Sequence, residues 1–368
     1  MKKILLILLP FAIAFPQACN TPETPALIEI QPVDSFTVHD IDIGQQVQEF
    51  HYYNDSLLYS FNPLYKNLDF YLKDVSGHFH LKSTHAIETP AWSTFFAGDN
   101  QQACFMSREN IFSVYNSSGL EKQYALGIKH SFPFLKDSFM LLSSHDSPLL
   151  LCHDTLITAP FHSSLSNYNH YFHESVFAEF RILKDSICFL RSYLTKPKGL
   201  SGFCFPMAKY CFHNQTFDVI YPCYDTIYSF NRSSGQTIKH PIHNPDYKLP
   251  KPYTNKAFTA EYGSYQTQYE LNNFQYSAIY FNPLTKHYVL FYIAPVRHTV
   301  KDRLPTPDDQ LLQAIVLNNQ FETTARYTFY KSFVNPVSYF FIPGKGLAMP
   351  VFKDHEHYET TQFFIYNF

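Results

Sequence analysis

Four turns in this chain share one wording, and their spacing restricts the fold more than any other feature. FNPLYK at 61–66 and FNPLTK at 281–286 agree at five of six positions. YNSSG at 115–119 and FNRSSG at 230–235 are the same kind of reversal, written with glycine. Asn-Pro ends a strand, because proline lacks the ladder donor and restricts the residue before it. Glycine reaches the same end by supplying a positive φ. The turn asparagines are Asn62, Asn116, Asn231 and Asn282, at intervals of 54, 115 and 51 residues. Those intervals read as one, two and one units of about 55 residues. Strand-only units near 50 residues are the signature of β-propeller blades, each four antiparallel strands around a central channel.

The segments between the turns fit that unit. Short apolar and aromatic runs recur: LLYSF (57–61), IFSVY (111–115), FMLL (139–142), ICFL (187–190), IYSF (227–230), AIYF (278–281), AIVL (314–317) and FFIY (363–366). Turn-forming residues separate them, and none extends into a helical period. Many open on an acid and a hydroxyl: Asp55-Ser56, Asp137-Ser138, Asp154-Thr155, Asp185-Ser186 and Asp225-Thr226. Asp bonds nearby backbone amides, so these read as turn formers and not as catalytic acids. The copy due near residue 173 is missing, and LSNYNHYFHESVF (165–177) stands in its place. The expected fold is all-β, a single β-propeller over 26–368 with about six four-stranded blades. A β-sandwich pair or a β-helix is the alternative. TTQFFIYNF (360–368) ends the chain, while IEIQ (28–31) and FTVHDI (36–41) lie near its start. Sharing one blade, these terminal strands would close the ring and remove exposed edges.

Residues 1–18 precede the folded region and read as a secretory signal: Lys2 and Lys3, an apolar run from Ile4 to Phe15, then a small residue, Ala18, before Cys19. The run is too short to span a bilayer. Cys19 is the expected lipid attachment site, and residues 19–25 are a Thr- and Pro-containing tether. Several acyl chains on one cysteine anchor firmly, which makes the membrane the first expected partner and the outer membrane the expected location, on either side. An ordinary cleaved signal with an incidental cysteine is the alternative. Without the two signal lysines the formal charge moves from −3 to −5. That balance offers no basic stripe for nucleic acid.

Six cysteines remain: Cys104, Cys152, Cys188, Cys204, Cys211 and Cys223. Their spacing matches no zinc pattern, and most sit among apolar residues, so buried free thiols are expected. One disulfide among Cys188 to Cys223 is the rival.

Chemistry is sparse. G-x-S-x-G, the P-loop and G-x-G-x-x-G are absent, and Phe177 stands where H-E-x-x-H after His173-Glu174 needs its second histidine. Histidines group at His78/His80/His85, His170/His173 and His355/His357, but no four-ligand spacing closes, so no metal or cofactor is expected. Trp92, the only tryptophan, and Arg108 stand near a blade boundary. A lone Trp is more often core than a sugar-stacking platform. No catalytic residue is assigned.

The signal, the length, the repeated acid-hydroxyl strands and SAIYFNPLTKHYVLFY at 277–292 together resemble an uncharacterised Bacteroidetes-type lipoprotein family, a domain of unknown function similar to six-bladed propellers. The resemblance implies no catalytic residues. The expected function is a monomeric, membrane-anchored, non-catalytic scaffold binding a protein, peptide or glycan. A propeller hydrolase or lyase acting on an extracellular polysaccharide or peptide is the alternative.

Overall fold

The structure is a computed structural model. It describes residues 25–41, 49–62, 66–87, 94–97, 102–106, 111–116, 118–125, 139–141, 150–152, 154–158, 160–162, 175–184, 186–195, 208–250, 271–296, 309–329, 339–351 and 360–368. Cys19 and the signal, Trp92, Arg108, Cys204, His170, His173, His355 and His357 lie outside them.

The chain is all-β. It begins with β1 (Leu27–Glu29) and β2 (Asp34–His39), then a meander of β3 (Glu49–Asn54), β4 (Leu57–Asn62), β5 (Asn67–Lys73) and β6 (Phe79–Ala86). A second meander holds β7 (Thr94–Ala97), β8 (Ala103–Met106), β9 (Ile111–Asn116) and β10 (Gly119–Ala125). β11 (Phe139–Leu141), β12 (Leu150–Cys152), β13 (Thr155–Thr158), β14 (Pro160–His162), β15 (Ser175–Ile182) and β16 (Ile187–Thr195) follow; β12, β13, β15 and β16 form one sheet, while β11 pairs with β14. Next come β17 (Lys209–His213), β18 (Thr216–Ile220), β19 (Thr226–Asn231) and β20 (Thr237–Pro241). β21 (Gln275–Asn282), β22 (His287–Ile293), β23 (Leu312–Leu317) and β24 (Thr323–Thr328) precede β25 (Phe340–Ile342), β26 (Gly346–Val351) and β27 (Thr360–Tyr366).

These strands make a propeller-like arrangement of small sheets. β1 adds in parallel to the outer edge of β24, and β2 runs antiparallel to β27 from Asp34↔Ile365 to His39↔Thr360. A single parallel bridge, Val38↔Phe79, joins β2 to β6. Among the described residues, hydrophobic clusters lie between successive sheets. Phe112 and Val114 meet Leu156 and Phe180; Phe177 meets Phe217 and Val219; Ile227 and Ile242 meet Leu290 and Ile315. Another cluster joins Phe36, Phe340 and Phe363 to Phe50, Leu58 and Tyr71, so the last strands pack on the first meander.

Burial explains why the apolar runs do not alternate. Every residue of β4 and β23 is buried, because each sheet is covered on both faces. Outer strands such as β10 (GLEKQYA) and β20 (TIKHP) are largely exposed and carry the charge. No described helix is long and apolar enough to cross a membrane.

The asparagine turns form by a shared mechanism. Asn116 Oδ1 accepts from the Ser118 amide at 2.8 Å, Asn231 Oδ1 from Ser233 and Ser234 at 3.0 and 2.8 Å, and Asn282 Oδ1 from Leu284 at 3.0 Å. In the two Asn-Pro copies the lysine at the end of the turn is left-handed, with φ 55° at Lys66 and 60° at Lys286. The turns do not occupy equivalent places, however. They follow β4, β9, β19 and β21, which are the second, third, third and first strands of their sheets. Asn54, Asp74 and Asn318 make the same reversal elsewhere. The repeated wording therefore marks a hairpin chemistry used throughout, and the 55-residue interval is an average of unequal sheets.

Cys104, Cys188, Cys211 and Cys223 are free thiols. Cys104 and Cys223 are buried, but Cys188 is exposed, contrary to expectation, because alternation on the outermost strand β16 turns it to solvent. The side chain of Cys152 is not among those described.

Candidate functional site

Polar residues inside apolar strands gather at three places between neighbouring sheets. The first lies where the chain passes from β20 to β21 and from β22 to β23. Asp225, expected to be a turn former, is a half-buried acceptor here: the Tyr276 hydroxyl donates to it at 2.5 Å and the Asn244 amide at 3.1 Å. Burial raises its pKa, against the effect of those bonds. Beside it, Asp246 Oδ2 accepts from Arg326 Nη2 at 2.5 Å and from the Tyr292 hydroxyl at 2.9 Å. Arg326 Nη1 also reaches the Pro25 carbonyl at 3.4 Å.

A cavity of about 200 Å³ opens at this point, lined by Asp246, Ala294, Pro295, Val296, Asp309, Gln310, Leu311 and Gln313. Register explains the convergence. Tyr292 pairs with Gln313 and Ile315 with Arg326, so Tyr292, Gln313 and Arg326 project from one face of their sheet.

The second cluster sits toward the other end of the same sheets. Asp218 is fully buried and accepts from Ser229 Oγ and from the Tyr288 hydroxyl at 3.0 Å, with His213 Nε2 at 2.7 Å. His213 stacks on Phe281 at 3.7 Å between centroids. Although Ser, His and Asp meet here, they do not form a nucleophilic relay. Ser229 donates straight to the carboxylate, so the histidine is not placed to take its proton. Tyr288→Phe removes one of three donors and is expected to cost about 1 kcal/mol of stability, read from urea midpoints.

In the third cluster, buried Glu179 accepts from Arg232 Nε, from Arg191 Nε at 2.9 Å and from the Tyr193 hydroxyl at 2.8 Å. Burial alone would raise its pKa; the two guanidiniums and the hydroxyl outweigh it and hold the carboxyl below its ordinary range.

Of the three histidine groups, only His78/His80/His85 falls among the described residues. His80 lies between Asp74 at 3.1 Å and Asp40 at 3.5 Å and stacks on His39, while His85 packs against Phe70. Among the described residues no three His, Cys, Asp or Glu side chains are placed to hold a metal ion. Asp246, Gln313, Arg326, Asp218 and Glu179 were not singled out from sequence. For Glu179, Asp218 and Gln313 the signal was a polar residue within an apolar strand, FAEFR, TFDVI and LLQAIVL; Asp246, in a turn, and Arg326, in TTARYT, carried none.

No protein-family model matches this sequence, and no curated protein matches it. Among solved structures, a member of the DUF4221 family from Bacteroides vulgatus is similar in fold, with a TM-score of 0.62 at 13% identity, covering 92% of this chain and 98% of that one. A luciferin-regenerating enzyme aligns over 90% of this chain and 94% of its own, with a TM-score of 0.44 and 10% identity. The fold is thus that of a propeller-like protein of unknown function.

Proposed function

We propose that this protein is a bacterial lipoprotein, anchored to the outer membrane through Cys19, whose propeller binds a protein, peptide or glycan without transforming it. The observation that carries the non-catalytic reading is how the carboxylates between the sheets are engaged. Glu179, Asp218 and Asp246 each hold two or three donors from neighbouring strands. Acids so engaged serve as cross-links between sheets, while general acid–base work needs a carboxyl within reach of substrate.

The folded body is read as one domain over 26–368 of six four-stranded blades. In that reading β3–β6, β7–β10, β12 with β13, β15 and β16, β17–β20, and β21–β24 are five blades. The sixth combines β25, β26 and β27 with β2, which closes the ring with one N-terminal strand; β1, expected to share that blade, pairs instead with β24 of the fifth. Hydrophobic clusters between each neighbouring pair support that count. The anchor rests on the sequence at 1–19 alone.

Two experiments test the proposal. Cys19→Ser is expected to move the protein from the membrane pellet to the soluble fraction; unchanged pelleting overturns the anchor. Affinity capture from solubilised outer membranes is expected to recover a specific partner or glycan. Turnover of a polysaccharide or peptide panel, with nothing captured, would favour the hydrolase or lyase.

A further inference from the structure

We infer that a cleft at the seam between the first meander and the last sheet binds a small α-amino acid as its zwitterion. This goes beyond the binding reading above and does not depend on it.

Three turns meet at the cleft. The β3–β4 turn brings Asp55, the end of β5 and its turn bring Lys73 and Gly77, and the β25–β26 turn brings Lys345 opposite Asp34, the first residue of β2. They enclose about 180 Å³ above a floor of Phe36, Phe79, Ile342 and Ile365. Each charged head is located by another residue of the same lining. Lys73 Cε lies 3.9 Å from where a Cβ on Gly77 would stand, and its Nζ is 5.7 Å from the centre of the Phe79 ring. Asp55 Oδ1 accepts from the Tyr52 hydroxyl at 2.5 Å, and Tyr52 lines the same space. Lys345 Nζ and Asp34 Oδ2 stand 3.4 Å apart.

The charges divide into one pair and two singles. Lys345 and Asp34 neutralise each other. Among the described residues, Lys73 has no carboxylate partner and Asp55 has no cation. The remaining titratable residue of the lining, His78, accepts from the Thr37 amide at 3.3 Å through Nδ1, so that nitrogen carries no proton. Asp74 follows Lys73 in sequence but lies off the lining, and its carboxylate is committed to Ser76, His78 and His80.

Lys73 and Asp55 together select the ligand. A simple anion would suit Lys73 and be repelled by Asp55, and a simple cation would meet the reverse. A molecule with a carboxylate at one end and an ammonium at the other suits both, through charge-assisted bonds. A neutral sugar would leave both charges without a counter-charge. The volume is below the roughly 300–1,000 Å³ of sites for larger ligands, so it admits one small amino acid and not a peptide chain. The apolar floor takes the side chain.

The test titrates the full chain, purified in detergent, with alanine, serine and valine by calorimetry and saturation-transfer NMR. The N-acetyl form of each, which lacks the ammonium, and the amide form, which lacks the carboxylate, are run beside it, with glucose as a neutral probe. At least one free amino acid is expected to bind, its two blocked forms at least tenfold more weakly, and glucose not at all. Asp55→Asn keeps the acceptor for Tyr52 and removes only the charge. It is expected to weaken the free amino acid at least tenfold and to leave the N-acetyl form unchanged. Lys73→Met is expected to weaken the free amino acid as much and to leave the amide form unchanged; Lys73→Gln replaces it if the methionine variant does not fold. A purely structural role would move all ligands together. Lys122→Met, on the exposed strand β10, is expected to change nothing. The site is overturned if no amino acid binds the wild type, if binding survives both charge-removing variants, if glucose competes, or if Lys122→Met weakens binding equally. Loss of the membrane anchor, or failure to capture a macromolecular partner, leaves the site standing.

Discussion

Glu179→Ala is expected to lower the stability of the folded chain by about 3 kcal/mol, measured as a shift in the urea midpoint at unchanged slope. The size follows from what remains after truncation. Arg232 comes from the turn between β19 and β20, and its side chain is 18% exposed. Without Glu179 its guanidinium loses that acceptor between two sheets while keeping the Gln215 contact at 3.1 Å, and breaking a buried pair from one side costs more than the pair contributes. Arg191, directly opposite Glu179 on β16, is 53% exposed and adds little by itself. Adding Arg232→Met to Glu179→Ala should therefore recover part of the loss. An additive further loss would show that the pair is not coupled.

Acid separates this effect from simple packing. The folded state holds the Glu179 carboxyl below its ordinary 4.5. A group with a depressed folded pKa contributes in full above its unfolded pKa and loses that contribution as pH falls through the folded value. The gap between wild type and Glu179→Ala should be largest near neutrality and shrink on acidification below about 4.5. A gap constant across that range would assign the loss to cavity formation.

Gly346→Ala is expected to cost about 3 kcal/mol or more, from two sources that add. Gly346 has a φ of 135°, where an L side chain is strained. A Cβ there would also lie 2.2 Å from the Tyr366 carbonyl oxygen and 2.9 Å from its carbon. Both are backbone atoms of the partner strand, so β26 and β27 must separate for the methyl to fit. Gly344→Ala is the control: φ is 76°, but nothing lies within 4 Å of the added atom. It should cost only about 1 kcal/mol, the conformational share. Limited proteolysis would place the damage, with Gly346→Ala exposing cleavage sites near the C-terminus that Gly344→Ala leaves protected. Equal midpoints for the two variants would contradict the steric argument.

The all-β class was legible because strands covered on both faces must be mostly apolar, and LLYSF, polar only at Ser60, and AIVL are. The turns were legible for a local reason: Asn282 and its own next few amides fix the reversal whatever sheet contains it. That same locality hid the phase. A device that works after a first, second or third strand cannot report which strand it follows, so the Asn spacing gave the size of the unit and not its boundaries. The polar clusters were less legible still. Glu179 meets Arg232 across 53 residues and Asp246 meets Arg326 across 80, and nothing local pairs them. Asp225 shows how repetition misleads: it shares its Asp-Thr wording with the other turn formers, yet Tyr276 from the next sheet makes it a half-buried acceptor.

The place of β2 bears on the order in which the protein can be made. This strand spans residues 34–39, and its antiparallel partner is β27, residues 360–366, with only one bridge to β6 on its other side. A chain delivered from its N-terminus thus presents β2 early, and its main partner arrives only after all the strands between them. Through that interval one edge of β2 has its amides and carbonyls open to any other strand, which is the usual route to mispairing. Joining ends so distant in sequence is also the slowest kind of contact to form. The sheets formed by the strands in between can be in place while β2 still waits for β27.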